Sequence, residues 1–475
     1  MNEKGKILKP VAKAAISALV LLLVGSVYYY KERMLFSDAS YIAFRIINDS
    51  SLYIQELRYG SFITQIVPLV CSKLHLSLHT VILAYSISFN LFFLIIAVCL
   101  VWWFRQYGFA VIMCLYYFLF VSETYFWTNN EIHQAVAWMF FWLGSTIYMG
   151  KNGANQTLGI TLFTLLGALT VATHFLVVIP CLFLWIYLIL EKKDWPFNRR
   201  QTIIYSAILA TLIFTKLMIS LSLPYDGPHL HDPTHVSLHD ILNTFGNVVI
   251  VSFLKRCLTN YWLAALVFVA GMATLMITKE KKLFYWTLLS TVGYMVAIKL
   301  AFGGYGDMLL FYIESEWASM GIIIGAAFVF HFLPRLKPAL AVGAFLLIIL
   351  VRSLYILSAA PIFEKRTRIK ERVFAKMEEK NITKLVLNDS ILRKNYLGEW
   401  SMAEESLMLS VLNKDYRQRT FTFANDFTLS LVGSAGNTFM IESYCAKPIN
   451  KLNNTYFSID TIETYKVLTR EELFK

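Results

Sequence analysis

The sequence predicts an all-α polytopic membrane protein of about eleven transmembrane helices, closed by a small α+β domain. Three observations predict it. Of 475 residues, 57% are apolar and only 16% charged, whereas a soluble globular chain is nearer half apolar and a quarter charged. The excess apolar residues fall in blocks of roughly 18 to 25, the helix length that crosses about 30 Å of hydrocarbon. Beyond residue 358 the chain becomes mixed, polar and charged. A β-barrel would show alternating ten-residue segments instead.

The first element is a basic stretch, "MNEKGKILKPVAK", followed by "AAISALVLLLVGSVYYY". No A-x-A cleavage site follows, and the apolar run ends in three tyrosines, an interfacial belt. An uncleaved first helix with its start in the cytoplasm is expected. Ten further spans are expected at 80–103, 108–122, 134–149, 157–173, 174–190, 202–222, 261–277, 283–302, 316–333 and 338–357. The basic connections "FRQYG", "GKNGANQ", "EKKDWPFNRRQ", "TKEKK" and "PRLKP" then all share the cytoplasmic side, as the positive-inside rule requires. The segments 31–79, 123–133, 223–260, 303–315 and 358–475 fall outside.

Two of these outer segments, 31–79 and 223–260, far exceed the 2–8 residues of a helix–helix turn. "DASYIAFRIINDSSLYIQEL" spaces Tyr41, Phe44 and Ile47 near helical period, so an interfacial helix is expected there. "VSLHDILNTFGNVVIVSFLKRCL" reads the same way. The organisation is thus a transmembrane domain over 1–357 and an extracytoplasmic domain over 358–475. The latter opens on a basic helical stretch, "FEKRTRIKERVFAKMEEK", and continues with the strand-like runs "ITKLVLN", "RTFTFA" and "NTFMIESY".

The net charge of +12 belongs to cytoplasmic loops and does not indicate nucleic acid. The six cysteines show neither C-x-x-C nor zinc-like spacing and mostly lie in or beside spans. They read as small buried hydrophobes.

Chemistry-bearing residues gather on the outer side. Asp38 follows the first span, where a partly desolvated acid suits a general base acting on a hydroxyl. Arg45 lies two helical turns further on, and Arg58 opens "RYGSFITQIVPLV"; arginine's planar fork matches phosphate. Solvated charges anchored at headgroups are the plainer reading of all three. Glu131, His133 and Gln134 open a span at its outer mouth, with Asn129 and Asn130 as capping candidates. His174 sits at another helix end. In "LPYDGPHLHDPTHVSLHD", His235 and His239 are i,i+4, a chelating spacing if helical. With His231 they are the candidates for a possible divalent metal, against a polar loop that merely tolerates histidine. Lys255 and Arg256 stand in "SFLKRCL", where the second outer loop returns to the membrane. The glycine-bearing "FGGYGDMLLFYIESEW" carries Asp307, Glu314 and Glu316, with Lys299 as a partner for Asp307.

The layout and the wording "SDASYIAFRI…IQELRYGSFITQIVPL" resemble the GT-C superfamily of integral membrane glycosyltransferases, in bacterial members of the inner (cytoplasmic) membrane. The resemblance covers the whole chain as architecture and tens of residues as sequence. It implies a sugar donor carried on polyprenyl phosphate, a glycan, lipid or protein acceptor, and an inverting displacement on the periplasmic face. Asp38 would be the base, with Arg45, Arg58, Lys255 and Arg256 meeting the phosphate and Glu131, His133, Gln134 and His174 touching substrate. The sequence departs from the family in lacking a D-x-D or E-x-D pair, since Asp38 precedes Ala39 and Ser40, and in lacking a W-W-D run.

Two other classes fit the gross layout. An O-antigen-type polymerase or ligase usually puts its major outer loop in mid-chain and lacks a terminal outer domain. A lipid-linked glycan transporter predicts charges in mid-span, where this sequence has Lys216 as the main exception.

Overall fold

The computed structural model describes residues 3–128, 130–193, 195–223, 243–302, 309–394, 396–413, 417–432, 438–441, 446–459 and 463–475. The chain begins with α1 (Glu3–Tyr28), then the short α2 (Tyr30–Met34) and α3 (Ser37–Asp49). Next come α4 (Phe62–Lys73), α5 (Leu78–Val98), α6 (Tyr107–Leu119), α7 (Glu131–Lys151), α8 (Gln156–Thr173), α9 (Val178–Glu191) and α10 (Arg199–Ser222). Beyond residue 243 follow α11 (Val248–Thr259), α12 (Trp262–Ile277), α13 (Lys281–Phe302), α14 (Leu310–Trp317), α15 (Met320–Ala327) and α16 (Pro338–Glu379).

A helix stands at each of the eleven expected span positions, but not all of them have the length and apolar composition of a span. Among the described residues six helices are long and apolar enough to cross a membrane, or up to eight if each of two bent pairs is one span. The pairs are α11 with α12, bent by 88°, and α14 with the helix from Met320 to Arg335, bent by 46°. The expected spans at 108–122, 134–149 and 174–190 fall short. With its 13 residues, α6 reaches only about 20 Å. It is buried all round from Gly108 to Leu119, the mark of a core helix. α7 has the length but opens on three buried polar residues, Glu131, His133 and Gln134.

α1 shows why the bundle closes. Its buried stripe, Val11, Ala12, Ala15, Ala18, Leu19 and Leu22, packs on α5, α6 and α16, and its alanines permit close approach. Its other face exposes Val20, Leu21, Val24 and Val27, which suits lipid.

α16 corrects an expected boundary. The last span and the basic helical stretch are one 42-residue helix with Pro361 inside it. Beyond it lie β1 (Lys384–Asn388), α17 (Ser390–Lys394), α18 (Met402–Leu412), β2 (Thr420–Phe423), α19 (Asp426–Val432), β3 (Thr438–Ile441), β4 (Ala446–Pro448), β5 (Lys466–Thr469) and α20 (Arg470–Phe474). The three strand-like runs of the sequence became β1, β2 and β3. β1 pairs in parallel with both β2 and β5. Parallel neighbours need a crossover, and α18 supplies the one between β1 and β2. β3 and β4 form an antiparallel pair. The five described cysteines are free thiols.

α3, expected as an interfacial helix, lies under this C-terminal segment and is held at both ends. At its C-terminal end the Asn453 amide donates to Asn48 Oδ1 at 3.0 Å, and Asn453 Nδ2 donates to the Ile47 carbonyl at 2.8 Å. The Phe44 and Phe457 rings meet at a tilt, with centroids 5.4 Å apart.

Candidate functional site

The first turn of α3 carries Asp38. Ser37, just before it, has φ +50°, a left-handed conformation that L-residues adopt only when their surroundings impose it. Here the surroundings are explicit. Glu405 Oε1 accepts from the Ser37 amide at 3.0 Å, Ser37 Oγ accepts from Trp400 Nε1 at 2.7 Å, and Ser401 Oγ donates to the Ser37 carbonyl at 3.0 Å. Arg366 and Lys370, one turn apart on α16, bind Glu405 at 3.0 and 2.7 Å and also donate to the Leu35 carbonyl. All three ionic side chains are buried. Burial pushes the Glu405 carboxyl up, but Arg366 and Lys370 outweigh it and hold it below the ordinary range.

Asp38 Oδ2 accepts from Trp127 Nε1 at 2.9 Å. Trp127 is set between α6 and α7, edge-on to Phe311 and Tyr312. Its neighbour Thr128 donates to the Arg33 carbonyl at 3.1 Å. The buried Arg33 side chain donates to Ser86 Oγ at 3.1 Å and to the Tyr125 carbonyl, and lies over the Tyr125 ring. Beneath Trp127 is a cavity of about 30 Å³ lined by Arg33, Asn90, Tyr117, Thr128 and His133, among others.

Arg58 arrives on a loop with two further left-handed residues, Glu56 at φ +45° and Leu57 at φ +55°. Two residues on, a Cβ at Gly60 would sit 1.8 Å from Thr173 Oγ1, so only glycine lets this loop close on the end of α8. Arg58 Nη1 pairs with Glu131 Oε2 at 3.0 Å. This pair flanks Asp38. Burial pushes the Asp38 carboxyl up to about 7; the Glu131 charge adds to the rise, while the Trp127 hydrogen bond and Arg58 oppose it. A carboxyl there is half-ionised near neutrality, the condition for general-base work.

A histidine and one further cation extend the site. His174, at the end of α8, lies within electrostatic reach of Arg58 and of Lys216. Lys216 is buried on α10, inside a membrane-length helix, where an ionisable group is a functional candidate by default. Gln134 Oε1 accepts from Thr64 at 3.3 Å, while its buried Nε2 has no partner among the described residues. His133 Nδ1 shares a 2.7 Å hydrogen bond with the Tyr116 hydroxyl. Asn130 caps α7, accepting from the Ile132 amide at 3.1 Å; Asn129 lies outside the described residues.

The structure therefore joins Asp38, Arg58, Glu131 and His174 and leaves other sequence candidates apart. Arg45 pairs with Asp49 at 2.9 Å and lies over Tyr53. Lys255 is exposed. Arg256 acts on Glu123, which forms a second acidic pair with Glu314. There burial and Glu314 push the Glu123 carboxyl up to about 7 against the pull of Arg256. Glu314 is fully engaged, accepting from the Ser122 and Thr124 amides at 2.8 Å and from the Tyr261 hydroxyl at 3.1 Å.

His231, His235, His239 and Asp307 lie outside the described residues. Among the described residues no group of three or more His, Cys, Asp or Glu could hold a metal ion. Sequence reasoning missed Trp127, for which no signal existed, and the roles of Trp400, Ser401 and Glu405. It noticed Lys216 only as an odd charge in mid-span. No family model, no curated protein and no solved structure matches the chain.

Proposed function

We propose that the chain is a membrane glycosyltransferase. It moves a sugar from a polyprenyl-phosphate donor to a hydroxyl acceptor at the outer face, with inversion, and Asp38 is the general base. One observation carries the reading: a carboxyl held near pKa 7 beside the Arg58–Glu131 pair, at the foot of an interfacial helix. Asp38 takes the proton of the acceptor hydroxyl. The acceptor oxygen bonds to the anomeric carbon as that carbon's bond to the phosphate oxygen breaks. The electron pair leaves on polyprenyl phosphate, and fixed cations meet its growing charge. Arg58 and Lys216 are the cations for that role, and Trp127 fixes the carboxylate by its 2.9 Å hydrogen bond.

Vesicles containing the purified chain, a polyprenyl-phosphate sugar and candidate acceptors test the reading. The wild type releases polyprenyl phosphate and Asp38→Asn does not. Equal release by both removes Asp38 from the chemistry.

A further inference from the structure

At the opposite end of the bundle, the end that the charge pattern assigns to the cytoplasm, three departures from regular backbone converge on one cavity. Cys99–Trp103 ends α5 as a π-helical turn, and Phe328–Phe332 is a second π-helical turn. Arg105, between α5 and α6, has φ +55°. Single π-turns insert a residue and re-aim side chains, and they concentrate at functional sites. Trp102, Arg105 and Phe330, which belong to these three features, all line the same cavity of about 630 Å³.

Its other walls carry Lys9 and Lys13 from α1 and Lys151 from the end of α7. Lys4 also borders it and is committed to Glu191 at 2.5 Å. Among the described residues no carboxylate lines it. An adjoining cavity of about 680 Å³ shares Trp102, Arg105, Gln106 and Lys151 and adds Trp103 and Tyr148. The result is a trough with a cationic floor and an indole wall. Both Trp102 and Trp103 are exposed toward the surroundings of the bundle.

We propose that this trough is a second site, for the phosphodiester headgroup of an anionic phospholipid of the adjoining leaflet. Lys9, Lys13 and Arg105 take the phosphate oxygens, and Trp102 and Trp103 lie along the glycerol and upper acyl chains. An ordinary basic loop gives a diffuse attraction. Here the cations share a walled cavity built by irregular backbone, so headgroup binding is saturable and belongs to these residues.

The test uses the full chain in detergent, titrated with phosphatidylglycerol, with phosphatidylcholine or with inorganic phosphate, and reads the thermal midpoint. Phosphatidylglycerol raises the wild-type midpoint saturably and phosphatidylcholine does not. In the Lys9→Gln/Lys13→Gln/Arg105→Gln variant the half-saturating lipid concentration rises by about fivefold for each cation lost. Lys281→Gln/Lys282→Gln, exposed basic residues on the same side but outside the trough, leaves it unchanged. Because Lys9 and Lys13 also help orient the first helix, Arg105→Gln alone is measured too and shows the single fivefold step. The proposal is overturned if the trough variants bind as the wild type does, if the control variant weakens binding as much, or if inorganic phosphate gives the same shift.

Discussion

The Ser37 amide donates to Glu405 Oε1 at 3.0 Å, although the two residues stand 368 positions apart. Through that bond the C-terminal segment sets the strained turn from which Asp38 projects. Glu405 in turn is fixed by Arg366 and Lys370. The segment beyond α16 is thus part of how Asp38 is aimed.

Breaking this clamp has two graded outcomes. Glu405→Ala strands two buried cations and is predicted to cost about 3–5 kcal/mol, read as a large fall in thermal midpoint. Trp400→Phe keeps an aromatic ring beside Tyr41 but removes the hydrogen bond to Ser37 Oγ, about 1 kcal/mol. It should lower turnover with apparent donor affinity unchanged, which steady-state kinetics resolve.

The raised carboxyl of Asp38 predicts an acid limb in the rate profile. Activity falls about tenfold per pH unit below about 7, as the base protonates. Glu131→Gln removes a charge that raises the Asp38 carboxyl and moves the limb to lower pH. Arg58→Gln removes one that lowers it and moves the limb to higher pH. Rate profiles of the two variants shifting in the same direction would refute the arrangement.

Stability carries the same signature. A carboxyl whose folded value is raised stabilises the fold, relative to higher pH, below its unfolded value of 3.8; that stability is lost as pH rises through about 7. Asn cannot ionise. Asp38→Asn should therefore raise the thermal midpoint at pH 8 and leave it little changed at pH 4. Equal shifts at both would show that Asp38 has an ordinary carboxyl.

Lys216→Met should leave the fold intact and weaken donor binding by about tenfold or more, the loss of roughly 1.4 kcal/mol of charge-assisted contact. Isothermal titration with a polyprenyl-phosphate sugar measures it.

How legible these features were depended on range. Helix positions, the helical form of α3, the Asn130 cap and three strands follow local pattern, and all were readable. Span number was not, because apolar blocks at 108–122 and 174–190 look alike whether they meet lipid or other helices; only packing shows α6 buried on every side. Asp38, Arg58, Glu131 and His174 were each readable as polar residues at outer mouths, but their meeting is tertiary. The clamp was invisible because Arg366 and Lys370 look like an ordinary solvated basic helix until Glu405 is folded against them.

The most direct measurement of the central claim is thermal stabilisation by undecaprenyl phosphate in lipid nanodiscs, with a neutral polyprenol as control. Wild type and Asp38→Asn should both be stabilised by the phosphate lipid alone, while Arg58→Ala and Lys216→Met lose most of the effect. No phosphate-specific stabilisation, or the same stabilisation in all four proteins, would contradict a polyprenyl-phosphate site beside Asp38.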